Sequence, residues 1–403
     1  MRTPASWARA AAAMFGVGWG ANQFSSLLLA YREHAGVSAG AGDALFGCYA
    51  LGLIPALLIG GPLSDRLGRR ALARVAVIVS LLATAALMLG VDGIGWLYAG
   101  RLLAGIASGS VFAPGTAWVK ELSASASSPA GDSGARRAAI ALSAGFGGGP
   151  LVAGLIAQWA PHPLVTPYLA HLVVIVLAGA AMWRAPETVV PRPVPVWSRI
   201  LVPSAADRRF RGVVAPLAPW VFTAAAISLT IGPALVVRHT GSIEVAFAGI
   251  LAGLTLGTGV LVQPFARRLD AGGGVRTMSV GLAACLAGCL VETATAVTAQ
   301  PAVAVVAALL LGVGYGASLV GGLLETQLIA PPSELASLTA IYYALTYLGF
   351  AAPLVFQALT ALAPYDVLLP CAAALALLTL LVVRVNARRT GIDAIVLSVV
   401  DTV

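Results

Sequence analysis

Charged residues are scarce in this chain of 403 residues, because Asp, Glu, Lys and Arg make up only 10% of it. A soluble protein usually has about 25%. Hydrophobic residues make up 59%, which is more apolar surface than a soluble domain can hide. A membrane-spanning helix takes about 20 apolar residues, so the chain has room for about twelve such helices and their loops. The composition therefore predicts a polytopic helical membrane protein.

Cysteine and histidine are also few, with four residues of each type. The cysteines lie inside apolar runs without metal-ligand spacing, and no two histidines have a ligand spacing. The sequence has no phosphate-binding loop and no nucleophile constellation. These absences argue against an enzyme, a metal or cofactor site and a disulfide scaffold. The net charge of +8 is too dilute for a nucleic-acid surface.

Twelve apolar runs occur, six on each side of a segment rich in proline and arginine at 186–211. They lie at about 10–30, 43–63, 72–91, 95–119, 138–159, 166–185, 213–236, 244–264, 276–296, 302–325, 335–359 and 367–386. We therefore predict an all-α protein with an N-terminal six-helix bundle at 1–185, a cytoplasmic linker at 186–211 and a C-terminal six-helix bundle at 212–403. The first run is too long for a signal peptide and is predicted to be a retained span.

The second half of the sequence repeats several residues of the first half at an offset of about 202 positions. The matched pairs are Trp19 with Trp220, Pro62 with Pro264, Arg66 with Arg268, Leu67 with Leu269, and Pro150 with Pro353. They predict two parallel repeats, an arrangement that places a substrate site at the repeat interface near the bilayer midplane.

Basic residues are distributed asymmetrically along the predicted spans. With the N-terminus inside, 21 of the 24 basic residues fall on the cytoplasmic side, Arg32 and Arg238 fall outside, and Arg101 lies within a span. This bias follows the positive-inside rule. We therefore expect a monomer in the lipid bilayer of a bacterial inner membrane, with both termini in the cytoplasm.

The loop after the second run has a specific pattern, GPLSDRLGRR at 61–70. A positive-inside anchor would explain its basic residues. The order of residues, however, resembles the G-x-L-x-D-R-x-G-R-R signature of the major facilitator superfamily. The resemblance implies the fold of that superfamily, with two bundles related by a pseudo-two-fold axis. It also implies a cytoplasmic gate at Gly61, Asp65, Arg66, Gly68, Arg69 and Arg70.

The fourth run contains Arg101 followed by Gly105 and Gly109, which is similar to a second motif of the superfamily. The two glycines suit close helix packing. Arg101 lies about six residues, or about 9 Å, below the outer surface, where a buried cation is costly unless it is paired or faces water. It could snorkel to the headgroups. The resemblance instead implies an arginine that faces the central cavity and takes part in proton coupling.

The fifth run resembles the antiporter motif of the same superfamily, in which a Gly-Pro pair bends the helix. The residues that match are Gly145, Gly149, Pro150 and Gly154. The pattern departs from the motif at Ala153 and Arg136, where glycine is expected. The match favours the twelve-span drug/proton antiporters of the superfamily and therefore export.

By the same resemblance, spans 1, 4, 7 and 10 line the substrate cavity. The candidate contacts are Trp19, Asn22, Gln23, Trp220, Thr223 and Tyr315, with Tyr342, Tyr343 and Tyr347 from span 11. Interface anchoring or helix packing would also explain the aromatic residues. Asn22 and Gln23 are adjacent and point about 100° apart, so we expect one of them to bond a neighbouring helix.

No acidic residue falls near the middle of a run. A deep carboxylate is the usual proton carrier in a membrane. Proton coupling must therefore use Asp43, Asp92, Asp65 or His171, although His171 could equally be a packing residue.

We predict a secondary transporter that exports small, largely apolar molecules in exchange for protons. Uptake of a small metabolite by symport or facilitated diffusion is the alternative. A third hypothesis is a transport-inactive receptor or scaffold of the same fold. We expect no sensory domain at either terminus, which counts against a receptor.

Overall fold

The computed structural model describes residues 6–123, 132–191, 202–269, 274–331 and 334–389. Within these ranges the chain forms twelve long helices and no strand. They are α1 (Ser6–Ala35), α2 (Ala39–Leu67), α3 (Arg69–Met88), α4 (Ile94–Ser123), α5 (Asp132–Trp159), α6 (Thr166–Trp183), α7 (Phe210–His239), α8 (Glu244–Leu269), α9 (Val275–Thr298), α10 (Pro301–Ile329), α11 (Leu335–Leu359) and α12 (Tyr365–Arg389). The predicted all-helical architecture is confirmed.

Eleven of these helices are long and apolar enough to cross a membrane. The exception is α1, which has 30 residues but carries several polar side chains in its centre, among them Asn22 and Gln23. These central polar side chains are nevertheless buried. Parts of the predicted linker lie outside the described residues, including Arg192, Pro193, Pro195 and Arg199, as do Arg2 and Asp270.

The chain divides into two compact units. The first comprises Met1–Ile200 and Ile243–Gly253, and the second comprises Leu201–Ser242 and Leu254–Val403. In the first unit α1 packs on α5, and α4 packs on α2 and α3. In the second unit α9 packs on α10 and α12. The predicted division at 186–211 stays a prediction.

Glycine allows α2 and α4 to touch through their backbones. A Cβ atom on Gly105 would lie 2.1 Å from the carbonyl oxygen of Tyr49, and one on Gly52 would lie 2.2 Å from that of Leu102. Real Cβ atoms do not come so close, so these helices meet at a distance that only glycine permits. The packing role predicted for Gly105 agrees with this geometry.

Proline explains the irregular turns of α7. The helix contains five-residue π-helical segments at Phe210–Val214 and Ile227–Ile231, and a proline follows each of them. Pro216 has no N–H for the carbonyl of Gly212 four residues earlier. The side chain of Asn386 in α12 donates to that carbonyl at 2.9 Å. A buried backbone acceptor is thereby satisfied, and α7 is fixed to α12.

Candidate functional site

The loop between α2 and α3 is organised around Gly68 and Glu187. Gly68 has φ of +96°, a conformation that side chains rarely adopt. The carboxylate of Glu187 accepts hydrogen bonds from the backbone N–H of Arg69 at 3.0 Å and of Arg70 at 2.9 Å. These N–H groups are the unpaired donors at the start of α3, so Glu187 caps the helix. The segment after α6 therefore holds the loop.

The side chains of the same loop form an ionic cluster. Arg69 donates to Asp65 at 3.0 Å, to the Ser64 hydroxyl at 2.9 Å and to Glu121 of α4 at 3.4 Å. Thr188 donates to the other oxygen of Glu121. Among the gate residues, Arg66 is exposed, while Arg70 donates to the carbonyl of Ala185 at 3.4 Å. Of the predicted gate residues, Asp65, Gly68, Arg69 and Arg70 thus lie together, whereas Gly61 and Arg66 lie outside these contacts. The gating role of all six stays a prediction.

Gly68→Ala should lower the stability of the protein, because a Cβ atom there would lie 2.5 Å from Glu187 Oε2. The backbone strain alone costs about 1–3 kcal/mol, and displacing Glu187 uncaps α3. The thermal unfolding midpoint of the purified protein in detergent measures the loss. Gly61→Ala is the matched control, since no atom lies within 4 Å of a Cβ built on Gly61. Equal midpoints for the two variants would contradict this account.

The second unit caps the start of α9 with a different carboxylate. Glu325 of α10 is fully buried, accepts from the N–H of Gly274 at 2.6 Å and pairs with Arg209 at 2.6 Å. Near it, the hydroxyl and the backbone N–H of Ser204 donate to Glu334 and hold the pKa of that carboxyl below its usual range. Within each unit, a carboxylate therefore fixes the start of a helix.

Arg101 lies in the interior of the first unit and is only 1% exposed. Its Nη1 donates to the carbonyl of Ala21 in α1 at 2.8 Å, and its Nε donates to that of Leu45 in α2 at 3.2 Å. The guanidinium also lies over the rings of Phe24, at 5.0 Å, and Tyr49, at 4.7 Å. Snorkelling is therefore wrong for Arg101, because its side chain turns inward and joins α1, α2 and α4.

Polar atoms without partners cluster on α1, one turn or less from Ala21. Asn22 is 1% exposed and Gln23 is fully buried. Within the described residues, neither the four amide atoms of these side chains nor Nε1 of Trp19 has a hydrogen-bond partner. The expectation that one amide bonds a neighbouring helix is therefore wrong. Buried amides are almost always satisfied in proteins, so these atoms are exceptions within the described residues.

His171 and Asp43 both have partners in the first unit. His171 of α6 is fully buried, with Nε2 2.9 Å from the carbonyl oxygen of Gly16 and Nδ1 2.7 Å from the hydroxyl of Thr84. Because a carbonyl only accepts, Nε2 carries a proton. Asp43 of α2 lies 3.9 Å from Arg32. Both nitrogens of His171 are thus used in joining α1, α3 and α6.

The antiporter-like residues of α5 contact the backbone of α1. A Cβ atom on Gly145 would lie 2.3 Å from the carbonyl oxygen of Phe15, and one on Gly149 would lie 2.6 Å from that of Trp19. Pro150 lies in the same turn as Gly149, and Gly154 lies close to the backbone of Gly249 within the first unit. The motif therefore brings α5 against the segment of α1 that carries the unpartnered polar atoms.

The predicted cavity residues of the second unit have different surroundings. The indole N–H of Trp220 donates to Thr379 of α12 at 3.1 Å, which is a packing contact within the unit. Thr223 is half-buried beside Phe222, and Tyr343 is half-buried beside Tyr342.

Phe222 is the centre of an aromatic cluster of which the sequence analysis named only the tyrosines. Its ring stacks on Tyr347 at 4.4 Å and on Phe350 at 4.8 Å, and it contacts Tyr315 at 5.5 Å. Tyr315 was predicted as a cavity residue from its span alone. The repeated aromatic residues of α11 were the available signal for Phe350, since Tyr347 and Phe350 are one helical turn apart.

A buried carboxylate in α9 also escaped the sequence analysis. Glu292 lies six residues before the end of the helix at Thr298, and its side chain is 1% exposed. Its position in the sequence placed it among the acids near an outer end. It is buried all the same. The acids that could take part in proton coupling therefore include Glu292.

The comparisons with known proteins agree on the family and the fold. A sequence profile of the Major Facilitator Superfamily matches residues 10–390. No curated protein matches the chain significantly. The solved structures similar to it include a mutant of the peptide transporter POT, at 13% identity and TM-score 0.78, covering 96% of each chain.

Two further solved structures have the same fold. One is a POT family transporter in complex with 5-aminolevulinic acid, at 10% identity and TM-score 0.76, covering 96% of this chain and 97% of that one. The other is a mutant of the nucleoside transporter NupG, at 11% identity and TM-score 0.74, covering 95% of this chain and all of that one. At these identities the likeness establishes the twelve-helix major facilitator fold. It does not single out the drug/proton antiporters.

Proposed function

The chain belongs to the major facilitator superfamily, and we propose that it takes up small polar organic molecules together with protons. At the level of the superfamily it is a multi-pass membrane protein that transports small molecules and is not an enzyme. The proposal favours the uptake alternative of the sequence analysis over export of apolar molecules. Substrate class, direction and coupling ion are the parts that we propose.

The polar atoms of α1 carry this proposal. Nε1 of Trp19 and the amides of Asn22 and Gln23 offer both donors and acceptors without partners among the described residues. Leaving a buried polar group unsatisfied costs about 1–3 kcal/mol. A solute with its own donors and acceptors recovers that free energy, whereas an apolar solute leaves it lost. The side chains therefore favour a polar substrate over a largely apolar one.

The similar solved structures support the same substrate class. Their descriptions name peptides, 5-aminolevulinic acid and nucleosides, all of which are small and polar. Peptides and 5-aminolevulinic acid carry charged groups, and nucleosides are neutral. We therefore place small amino-acid-like molecules, short peptides and nucleosides in one group of candidate substrates for this chain.

Export in exchange for protons is the second candidate. One observation favours this candidate. Gly145 and Gly149 of the antiporter-like motif approach the backbone of α1 closely, as the packing role of such a motif requires. Close packing of α5 on α1 serves either direction of transport, however. The motif is therefore compatible with export, but it is weaker support for export than the polar atoms of α1 are for uptake.

Reconstituted vesicles with an acidic exterior test the proposal. Radiolabelled dialanine, uridine and 5-aminolevulinic acid serve as polar probes, and ethidium serves as the apolar cation. We expect gradient-driven accumulation of at least one polar probe, abolished by a protonophore. Gradient-driven movement of ethidium with no accumulation of any polar probe would establish the second candidate instead.

The variant Gln23→Leu links this transport to the buried amides. Removing an unpartnered amide should leave the protein as stable as before or more stable by about 1 kcal/mol, while accumulation of the polar probe falls at least about tenfold. Ser25→Ala is the control, because the Ser25 hydroxyl already donates to the carbonyl of Asn22. A drop in the unfolding midpoint of Gln23→Leu would show that the amide has a structural partner.

A further inference from the structure

Glu292 is a buried acid that the transport site described above does not use. It lies on α9 and its side chain is 1% exposed. Its Oε1 has no hydrogen-bond partner, and the side chain forms no salt bridge, in the ranges that the structure describes. A carboxyl group of this kind has neither a countercharge nor a saturated set of hydrogen bonds.

The neighbouring helix α10 offers Glu292 no polar group. The two helices run antiparallel, because Gly281 faces Ser318, Cys285 faces Gly314 and Gly288 faces Leu311. Continuing this register places Glu292 opposite the segment 304–308, where Ala304, Ala307 and Ala308 are all buried. Small apolar residues therefore face the carboxyl group without satisfying it.

Within the described residues, no salt bridge joins Glu292 to a charged group of the elements packed on α9. Those elements are α7, α10 and α12. Their titratable side chains, with those of α9 itself, are Arg276, Cys285, Cys289, Tyr315, Glu325, Tyr365, Asp366, Cys371, Arg384, Arg388 and Arg389, and Arg211, Arg238 and His239 of α7. Arg238 and Asp366, at the nearer helix ends, are exposed. Cys289, one turn away on α9, is the close neighbour, and it brings no positive charge.

We propose that Glu292 binds and releases the proton that the carrier couples to substrate uptake. An ionised carboxylate without a countercharge is unfavourable in this apolar interior. A proton is small enough for the site and removes that charge. In the loading step, an O–H bond forms between the Glu292 carboxylate and a proton from hydronium, which leaves as water. In the release step the same O–H bond breaks and a water accepts the proton.

The position of Glu292 gives the proton a short route to water. Thr298 ends the helix six residues further on, about 9 Å away at the rise of an α-helix. Thr295 lies one turn beyond Glu292 on the same face, and its hydroxyl supplies a polar group between the carboxyl group and the helix end. This is the end of α9 that the charge bias predicts to lie outside.

The variant Glu292→Gln tests the proposal in reconstituted vesicles. The amide imitates the protonated acid, so exchange of labelled for unlabelled dialanine or uridine without a pH gradient should stay within about twofold of wild type. Accumulation driven by the gradient should fall at least about tenfold. Glu33→Gln, at an exposed acid of α1, is the control and should leave both fluxes unchanged. Undiminished accumulation, or equal loss of exchange and accumulation, would overturn the proposal.

A second measurement does not depend on knowing the substrate, because the coupling proposal rests on the proposed function. Dicyclohexylcarbodiimide reacts with protonated carboxyl groups in apolar surroundings, and mass spectrometry of the purified protein locates the adduct. We expect an adduct on Glu292 whose yield falls as the pH is raised. No adduct, or a yield independent of pH, would make Glu292 a packing residue. If no probe is transported, the proposed uptake function is wrong. The labelling result still shows whether Glu292 binds a proton.

Discussion

Arg101→Lys should reduce transport by about tenfold or more without unfolding the protein. The guanidinium contacts two helices at once, through the carbonyls of Ala21 and Leu45 and the rings of Phe24 and Tyr49. A lysine ammonium keeps the charge but loses the planar fork that makes these contacts together. Losing one hydrogen bond from a charged donor costs about 1.5–3 kcal/mol. Ala21 precedes Asn22, so the change also shifts the polar atoms of α1.

Uptake of the polar probe at matched abundance measures this effect. A rise in the apparent KM of a variant that still unfolds cooperatively, at a midpoint only modestly below wild type, separates positioning of α1 from general damage. Arg74→Lys is a suitable control, because Arg74 likewise lies over an aromatic ring, that of Trp183 at 4.6 Å, and donates to its carbonyl. Unlike Arg101 it is only half-buried. Wild-type uptake in Arg101→Lys would remove Arg101 from the functional residues.

The helices themselves were predictable from the sequence, whereas their ends were not. Every apolar run predicted a helix, since only a helix satisfies its own backbone in hydrocarbon. Some helices run further than the apolar runs, as with α2 and α8, which continue to Leu67 and Leu269, whereas α6 ends at Trp183, before its run does. Polar and basic residues at the ends of α2 and α8 extend the helix towards water, and an apolar count does not include them.

The partners of polar side chains were the least predictable feature. The charge cluster at Arg69 follows from a local motif, but its cap by Glu187 joins residues 118 positions apart. The surroundings of Arg101 and Glu292 were unpredictable for the same reason, because residues distant in sequence supply them. Each is one charged residue in an apolar run, and only the neighbouring helices decide that carbonyls and rings surround the first while alanines face the second. A hydropathy profile distinguishes neither of these two environments.

Gly149→Ala and Gly148→Ala, adjacent changes on α5, should have opposite effects on stability. A Cβ atom on Gly149 would lie 2.6 Å from the carbonyl oxygen of Trp19, so α1 and α5 must separate, whereas no atom lies within 4 Å of one on Gly148. Overpacking of this kind costs about 1–3 kcal/mol. Alanine is favoured over glycine in a helix by about 1 kcal/mol, which Gly148→Ala gains without a clash.

The unfolding midpoints of the two variants, measured against wild type in the same detergent, should therefore move in opposite directions. Polar uptake should fall in Gly149→Ala, because the separation displaces Trp19 and with it the unpartnered atoms of α1, and should persist in Gly148→Ala. Two variants that lose stability equally would mean that the glycines of α5 act through backbone flexibility. In that case the close approach of α5 to α1 would not explain why glycine occupies these positions.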